Sequence, residues 1–146
     1  MAEPTTLTGD QILIQIGNGA DPQVFAHPCL INTDRGIQWS SNVISELVPD
    51  CAAPGAPAWN RTEVDGLNAT ITGAGMYDLG SEEEFFDWWK SGLNKTIKVK
   101  TGGVGGGTFT GTFKLTEFGV SGARKTRATA SVTLVSDGPI TRADNV

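Results

Sequence analysis

Between Gln11 and Ile16 apolar and polar residues alternate, which places Ile12, Ile14 and Ile16 on one face of a strand closed by Gly17, Asn18, Gly19, Asp21 and Pro22. A second extended run from Val24 to Ile31 carries Val24, Phe25, Cys29 and Leu30, and Pro28 within it predicts an edge or a bulge. The sheet pattern continues through Ile37 to Ser40 and then lapses. From Asn42 to Asn60 the chain holds Glu46, Pro49, Asp50, Pro54, Gly55 and Pro57 with little period, which predicts a long loop. Partial alternation returns from Thr62 to Thr72 through Val64, Leu67, Ala69 and Ile71. Thr96–Lys100 is a clean alternating strand, with Ile97 and Val99 inward and Lys98 and Lys100 outward. Thr108–Phe118 alternates with one slip, setting Phe109, Gly111, Phe113 and Leu115 on a single face. In the last strand Ala128, Ala130, Val132 and Leu134 oppose Arg127, Thr129, Ser131 and Thr133.

One segment changes period. Ser81 followed by Glu84 reads as a capping box, Glu82, Glu83 and Glu84 put negative charge at the positive end of a helix dipole, and Gly92 suits a left-handed stop. At about 100° per residue, Phe85, Phe86, Trp88, Trp89 and Leu93 share one broad side of this helix. Ser81, Glu84, Phe85, Phe86, Trp88 and Trp89 are therefore expected to anchor it to the core, with Phe85, Trp88 and Trp89 needed for folding. The order strand, strand, long loop, strand, helix, three strands, tail predicts an α+β, mainly antiparallel fold. A β-sandwich or open barrel with one flanking helix satisfies it.

The 146 residues suit one domain, with an arm at 1–9, the long loop at 42–60 and a polar tail at 136–146. No apolar run approaches the roughly 20 residues that span a bilayer, and the N-terminus has no secretion-signal pattern, so the expected address is cytoplasmic. The net charge of -5 argues against a general nucleic-acid binder. Its distribution says more: up to Ser91 there are 13 acids against 3 bases, and beyond it 3 acids against 8 bases. Either the two halves neutralise each other within one domain, or acidic and basic surfaces meet between copies. In the second case Lys98, Lys100, Arg124, Lys125 and Arg127 are the candidate inter-subunit contacts.

Chemistry is looked for without result. The single histidine, His27, has no partner in register and reads as structural; Cys29 and Cys51 form no metal or redox pattern and read as thiols. Gly102 to Gly107 lacks the ending of a phosphate loop and reads as a hairpin tip. No catalytic residue, cofactor or metal is expected. Trp39 and Trp59 could serve a carbohydrate- or protein-binding module, an adhesin-like alternative. The long loop, with Glu46, Leu47, Val48, Pro49, Asp50 and Trp59, either folds back on its own domain or binds a partner.

Several pieces in a fixed order resemble one known family: residues 9–14, 29–37, 49–51 with 57–59, 66–75, and the aromatic run from Phe85 to Trp89. Together they look like the major tail tube protein of long-tailed bacteriophages and of phage-like gene transfer agents. The resemblance implies a β-barrel or sandwich with one helix, assembled as stacked hexameric rings whose joined inner strands form a conduit for DNA. It implies that the 42–60 loop contacts the next ring and that both termini bridge subunits. The implied partners are further copies of the chain, tail terminator and distal tail proteins, and a tape measure protein inside the tube. DNA would pass without specific binding, and no membrane insertion is implied.

Overall fold

Period-two alternation over most of the chain makes strands, and their apolar faces must converge. The computed structural model describes residues 3, 6–17, 25–28, 30–103 and 105–145. In chain order the elements are β1 (Ile12–Gly17), β2 (Phe25–Ala26), β3 (Asp34–Val48), β4 (Trp59–Met76), α1 (Glu82–Ser91), β5 (Lys95–Thr101), β6 (Gly107–Ser121), β7 (Thr129–Ser136) and β8 (Thr141–Asp144). They form one antiparallel sheet in the order β2-β1-β5-β6-β7-β4-β3, with β8 pairing β6. This is the mainly antiparallel architecture with one helix that the sequence predicts.

The sheet curls around a single core. Ile14 and Ile16 of β1, Ile97 and Val99 of β5, Phe113 and Leu115 of β6, Val132 and Leu134 of β7 and Ile71 of β4 join Leu30, Ile31, Phe85 and Trp88 in one cluster. Each such side chain contributes about 1.5–3 kcal/mol by leaving water. The slip foreseen in β6 is a bulge between Leu115 and Glu117, where Thr116 is the extra residue. It returns Phe118 to the inner face, against the helix.

Four expectations change. The 42–60 segment is mostly strand: β3 continues to Val48 and β4 begins at Trp59, so the loop is confined to residues 49–58. Its period escaped notice because no residue there is buried, and alternation is visible only where one face meets a core. The polar tail is not free, since Thr141–Asp144 pairs with Gly107–Thr110 of its own chain. The predicted capping box at Ser81 does not form. A 3-10 turn, Leu79–Ser81, precedes α1, and the Ser81 hydroxyl donates instead to Asp78 Oδ2 at 2.8 Å. At the far end Gly92 does take the left-handed stop, at φ 68°.

Finally, only half of the helix's aromatic side is buried. Phe85 and Trp88, three residues apart, face the core, while Phe86 and Trp89 stand about 100° further round and remain half exposed, with Leu93 more so. The turn from Asn18 to Pro22, together with Val24 and Cys29, lies outside the described residues, as do Met1, Ala2, Pro4 and Thr5 of the N-terminal arm. Gly9 opens a 3-10 turn at Gly9–Gln11, closed by Thr8 N–H donating to Gln11 Oε1 at 2.9 Å.

Candidate assembly surfaces

Among the described residues the β3–β4 hairpin is a long surface that the fold leaves without a partner. Beyond Thr70, where pairing with β7 ends, β4 keeps only β3 as a neighbour, and the two strands run on as a free ribbon. Every residue from Gln38 to Val48 is exposed. From Trp39 to Val48 the ribbon reaches about 30 Å at ~3.3 Å per residue. One edge of β4 and the outer edge of β3 carry unpaired backbone groups among the described residues.

The register shows how the ribbon is composed. The core-side face runs outward from Ile37 and Ile71 through Trp39, Leu67, Val43 and Val64 to Leu47. An extra residue in β4, Asp65, sits at a bulge and keeps Val64 on that face. On the other face Glu46 opposes Arg61 and Val48 opposes Trp59. Trp59 is 85% exposed and Leu67 84%, values that a side chain of this size rarely keeps in a finished assembly. At the tip Asp50 is structural as well as charged, because its carboxylate accepts from Ala52 N at 2.9 Å and so orders the turn. Pro49 lies beside it, exposed. The proposed loop set of Glu46, Leu47, Val48, Pro49, Asp50 and Trp59 is thus brought together at the ribbon's end. Val43, Ile44 and Val64 belong with it and were missed; the signal was the apolar pair at 43–44, read as loop.

The candidate cations do not converge. Lys98 and Lys100 lie on β5 opposite Thr110 and Thr108, near the start of β6. Arg124, Lys125 and Arg127 occupy the turn between β6 and β7, beyond the far end of that 15-residue strand. Lys98 Nζ caps the Phe25 ring at 4.2 Å from its centroid. The three cations of the β6–β7 turn are exposed, and Lys125 holds a left-handed φ of 69°.

On the helix, Glu84 meets Lys95 Nζ at 3.6 Å, and the same ammonium stands 5.1 Å from the Trp88 ring centroid. The pair is exposed enough to be worth under about 1 kcal/mol. Trp88 also donates from Nε1 to Leu93 O at 2.8 Å. The outward face pairs Phe86 with Trp89, centroids 6.1 Å apart. At the base of the ribbon a cleft of about 460 Å³ opens beside Trp39, Leu67, Pro139 and Ile140. Trp39 packs there on Phe109 at 4.9 Å.

Among the described residues no three His, Cys, Asp or Glu side chains come together to hold a metal. His27 Nδ1 lies 2.9 Å from Ile14 O, and Nε2 lies 2.8 Å from Ile31 O and 2.9 Å from Arg35 Nη1, so the ring ties β1 to the approach to β3. Cys51 is an exposed free thiol at the ribbon tip.

Residues 6–142 match a protein family described as phage tail tube protein. Among solved structures, the tail of an empty gene transfer agent particle, determined with C6 symmetry, is 18% identical over 94% of this chain and 99% of its own, with a TM-score of 0.74. The virion of a native gene transfer agent particle gives 17% identity, the same coverage and a TM-score of 0.71. The tail tube of SPP1 gives 9% identity over 97% of this chain and 81% of its own, with a TM-score of 0.67. No curated protein sequence matches the chain.

Proposed function

The chain belongs to the phage tail tube protein family, and from that premise we propose that it forms hexameric rings stacked into the conduit through which DNA leaves a phage or gene transfer agent particle. Its role as a structural tube subunit follows from the family. The sixfold arrangement rests on the C6 symmetry of the similar gene transfer agent tail. One observation carries the reading on this chain: a ribbon about 30 Å long that exposes Trp39, Leu67, Val43, Val64 and Leu47 on the face that continues the core, with both outer edges open among the described residues. Such a surface is stable in water only when neighbouring copies cover it.

DNA passes rather than binds. Six copies at -5 carry a formal -30 per ring, and among the described residues the candidate cations do not converge. The ribbon's end, from Glu46 to Asp50 with Trp59, contacts the next ring, and the N-terminal arm bridges subunits. Tail terminator and distal tail proteins close the two ends of the tube, and a tape measure protein occupies its lumen during assembly. The protein is not an enzyme. It is made in the host cytoplasm and resides in the tail; no helix among the described residues is long and apolar enough to cross a membrane.

Negative-stain electron microscopy of the purified protein at rising concentration tests this reading. Rings or tubes with sixfold symmetry are the expected result, and replacing residues 49–58 by a two-residue Asn-Gly turn should abolish them while leaving a folded subunit. A monomer that persists at all concentrations would favour a binding module instead.

A further inference from the structure

Two exposed hairpin tips lie at opposite ends of β4. β4 runs from the ribbon tip at Trp59 to Met76, which pairs with Thr129 at the base of the β6–β7 turn. Tyr77 N then donates to Ala128 O at 2.9 Å. The 18 residues of β4, a strand about 55 Å along its path, therefore separate the tips.

Their charges are opposite. The distal ribbon, residues 43–65, carries Glu46, Asp50, Glu63 and Asp65 against Arg61 alone. Between Glu117 and Asp137 the only charged residues are Arg124, Lys125 and Arg127. All eight of these side chains are exposed, and among the described residues none joins an ion pair. Each tip also has apolar neighbours in the open: Leu47, Val48 and Trp59 at the acidic end, Met76, Leu79 and Val120 at the cationic end. Asp78, Glu82 and Glu83, which follow the Tyr77 contact with Ala128, stand on the entry to α1, a separate element.

Resting on the tube reading, we infer that successive copies join head to tail, the acidic β3–β4 tip of one seating on the cationic β6–β7 tip of the next. Two unlike ends make a heterologous contact, which leaves one free end of each kind and so propagates. Like ends repel, so a subunit offered in the reverse direction is rejected. Apolar contact supplies affinity, and the charges supply direction and encounter rate.

Charge exchange tests the junction. R124E/K125E/R127E and E46K/E63K/D65K should each lower the yield of tubes by about tenfold or more, and the chain carrying both sets should recover to within about twofold, because its ends are complementary again. Tube growth by the wild-type chain should slow as ionic strength rises. Thermal unfolding of each unassembled variant near the wild-type midpoint shows that folding is intact, and recovery in the combined chain shows it again. Wild-type yield from either triple variant, no recovery in the combined chain, or growth indifferent to salt would each overturn the junction while leaving the tube reading standing. A wild-type chain that forms no ring or tube at any ionic strength removes both.

Discussion

Phe118 stacks on Phe85 with ring centroids 5.8 Å apart and planes within 13° of parallel. The contact exists because Thr116 is an extra residue in β6: without it, strict alternation would turn Phe118 to the outer face. A helix signal at Phe85 and a strand irregularity at Thr116, 31 positions apart in the sequence, therefore meet in one stacked pair. Phe85→Ala should cost about 3–5 kcal/mol, measured by urea unfolding of the unassembled subunit. Deleting Thr116 should destabilise comparably, because it removes the partner ring rather than the helix ring.

The two tryptophans of α1 should separate cleanly. Trp88 is buried and donates to Leu93 O, so Trp88→Ala should cost about 3–5 kcal/mol. Trp89 is 47% exposed; Trp89→Ala should stay within about 1 kcal/mol in the same assay. This reverses the expectation from the sequence, where both rings fall within one apolar arc. The moment of a helix fixes the centre of its apolar side but not how wide a strip the sheet can cover. Two residues per turn fit here, and the remaining aromatic row faces outward.

A similar limit runs through the rest of the chain. β1, β5, β6 and β7 were readable because Ile14, Val99, Phe113 and Leu134 alternate against polar neighbours over one core. The β3 half of the outer ribbon was not, since Val43, Ile44, Leu47 and Val48 occur as adjacent pairs that supply both faces of a strand with no core beneath. Nor was β8, whose four exposed residues gain their strand from the edge of β6 rather than from any pattern of their own. Opposed charge was legible as a count. That its two poles sit on hairpin tips at opposite ends needed the register of β4 with β7.

Gly75 should tolerate no side chain. A Cβ there would stand 2.3 Å from Asn32 Oδ1 and 2.7 Å from Asn32 N, and Asn32 Oδ1 already accepts from Met76 N at 3.0 Å. Backbone cannot move aside as a flexible side chain can. Gly75→Ala should destabilise by about 1–3 kcal/mol by denaturant unfolding, with Gly36→Ala, which meets nothing, as the contrasting control.

Tyr77, the only tyrosine, gives the chain a spectroscopic pH probe. Loss of solvent around its phenol, then the hydrogen bond and negative charge of Glu82, push its pKa up to about 12. The folded state therefore holds the proton more tightly than the unfolded one, where ionisation occurs near 10. Stability from this group is complete below about pH 10 and is lost as pH rises towards 12. Phenolate absorbance should appear late in the folded protein, and Glu82→Gln should bring it earlier.

The ribbon has a kinetic consequence. Beyond Ala69 the two strands have no third neighbour and no buried side chain and are marginal in water, so the ordering entropy of the hairpin is recovered only when a neighbour receives it. A first contact between two free subunits bears that cost on both sides, whereas addition to an existing end meets a surface already set. Growth should therefore start slowly and continue quickly, with a lag that a preformed end removes, and the length of free subunit life in the cell becomes a property of this hairpin.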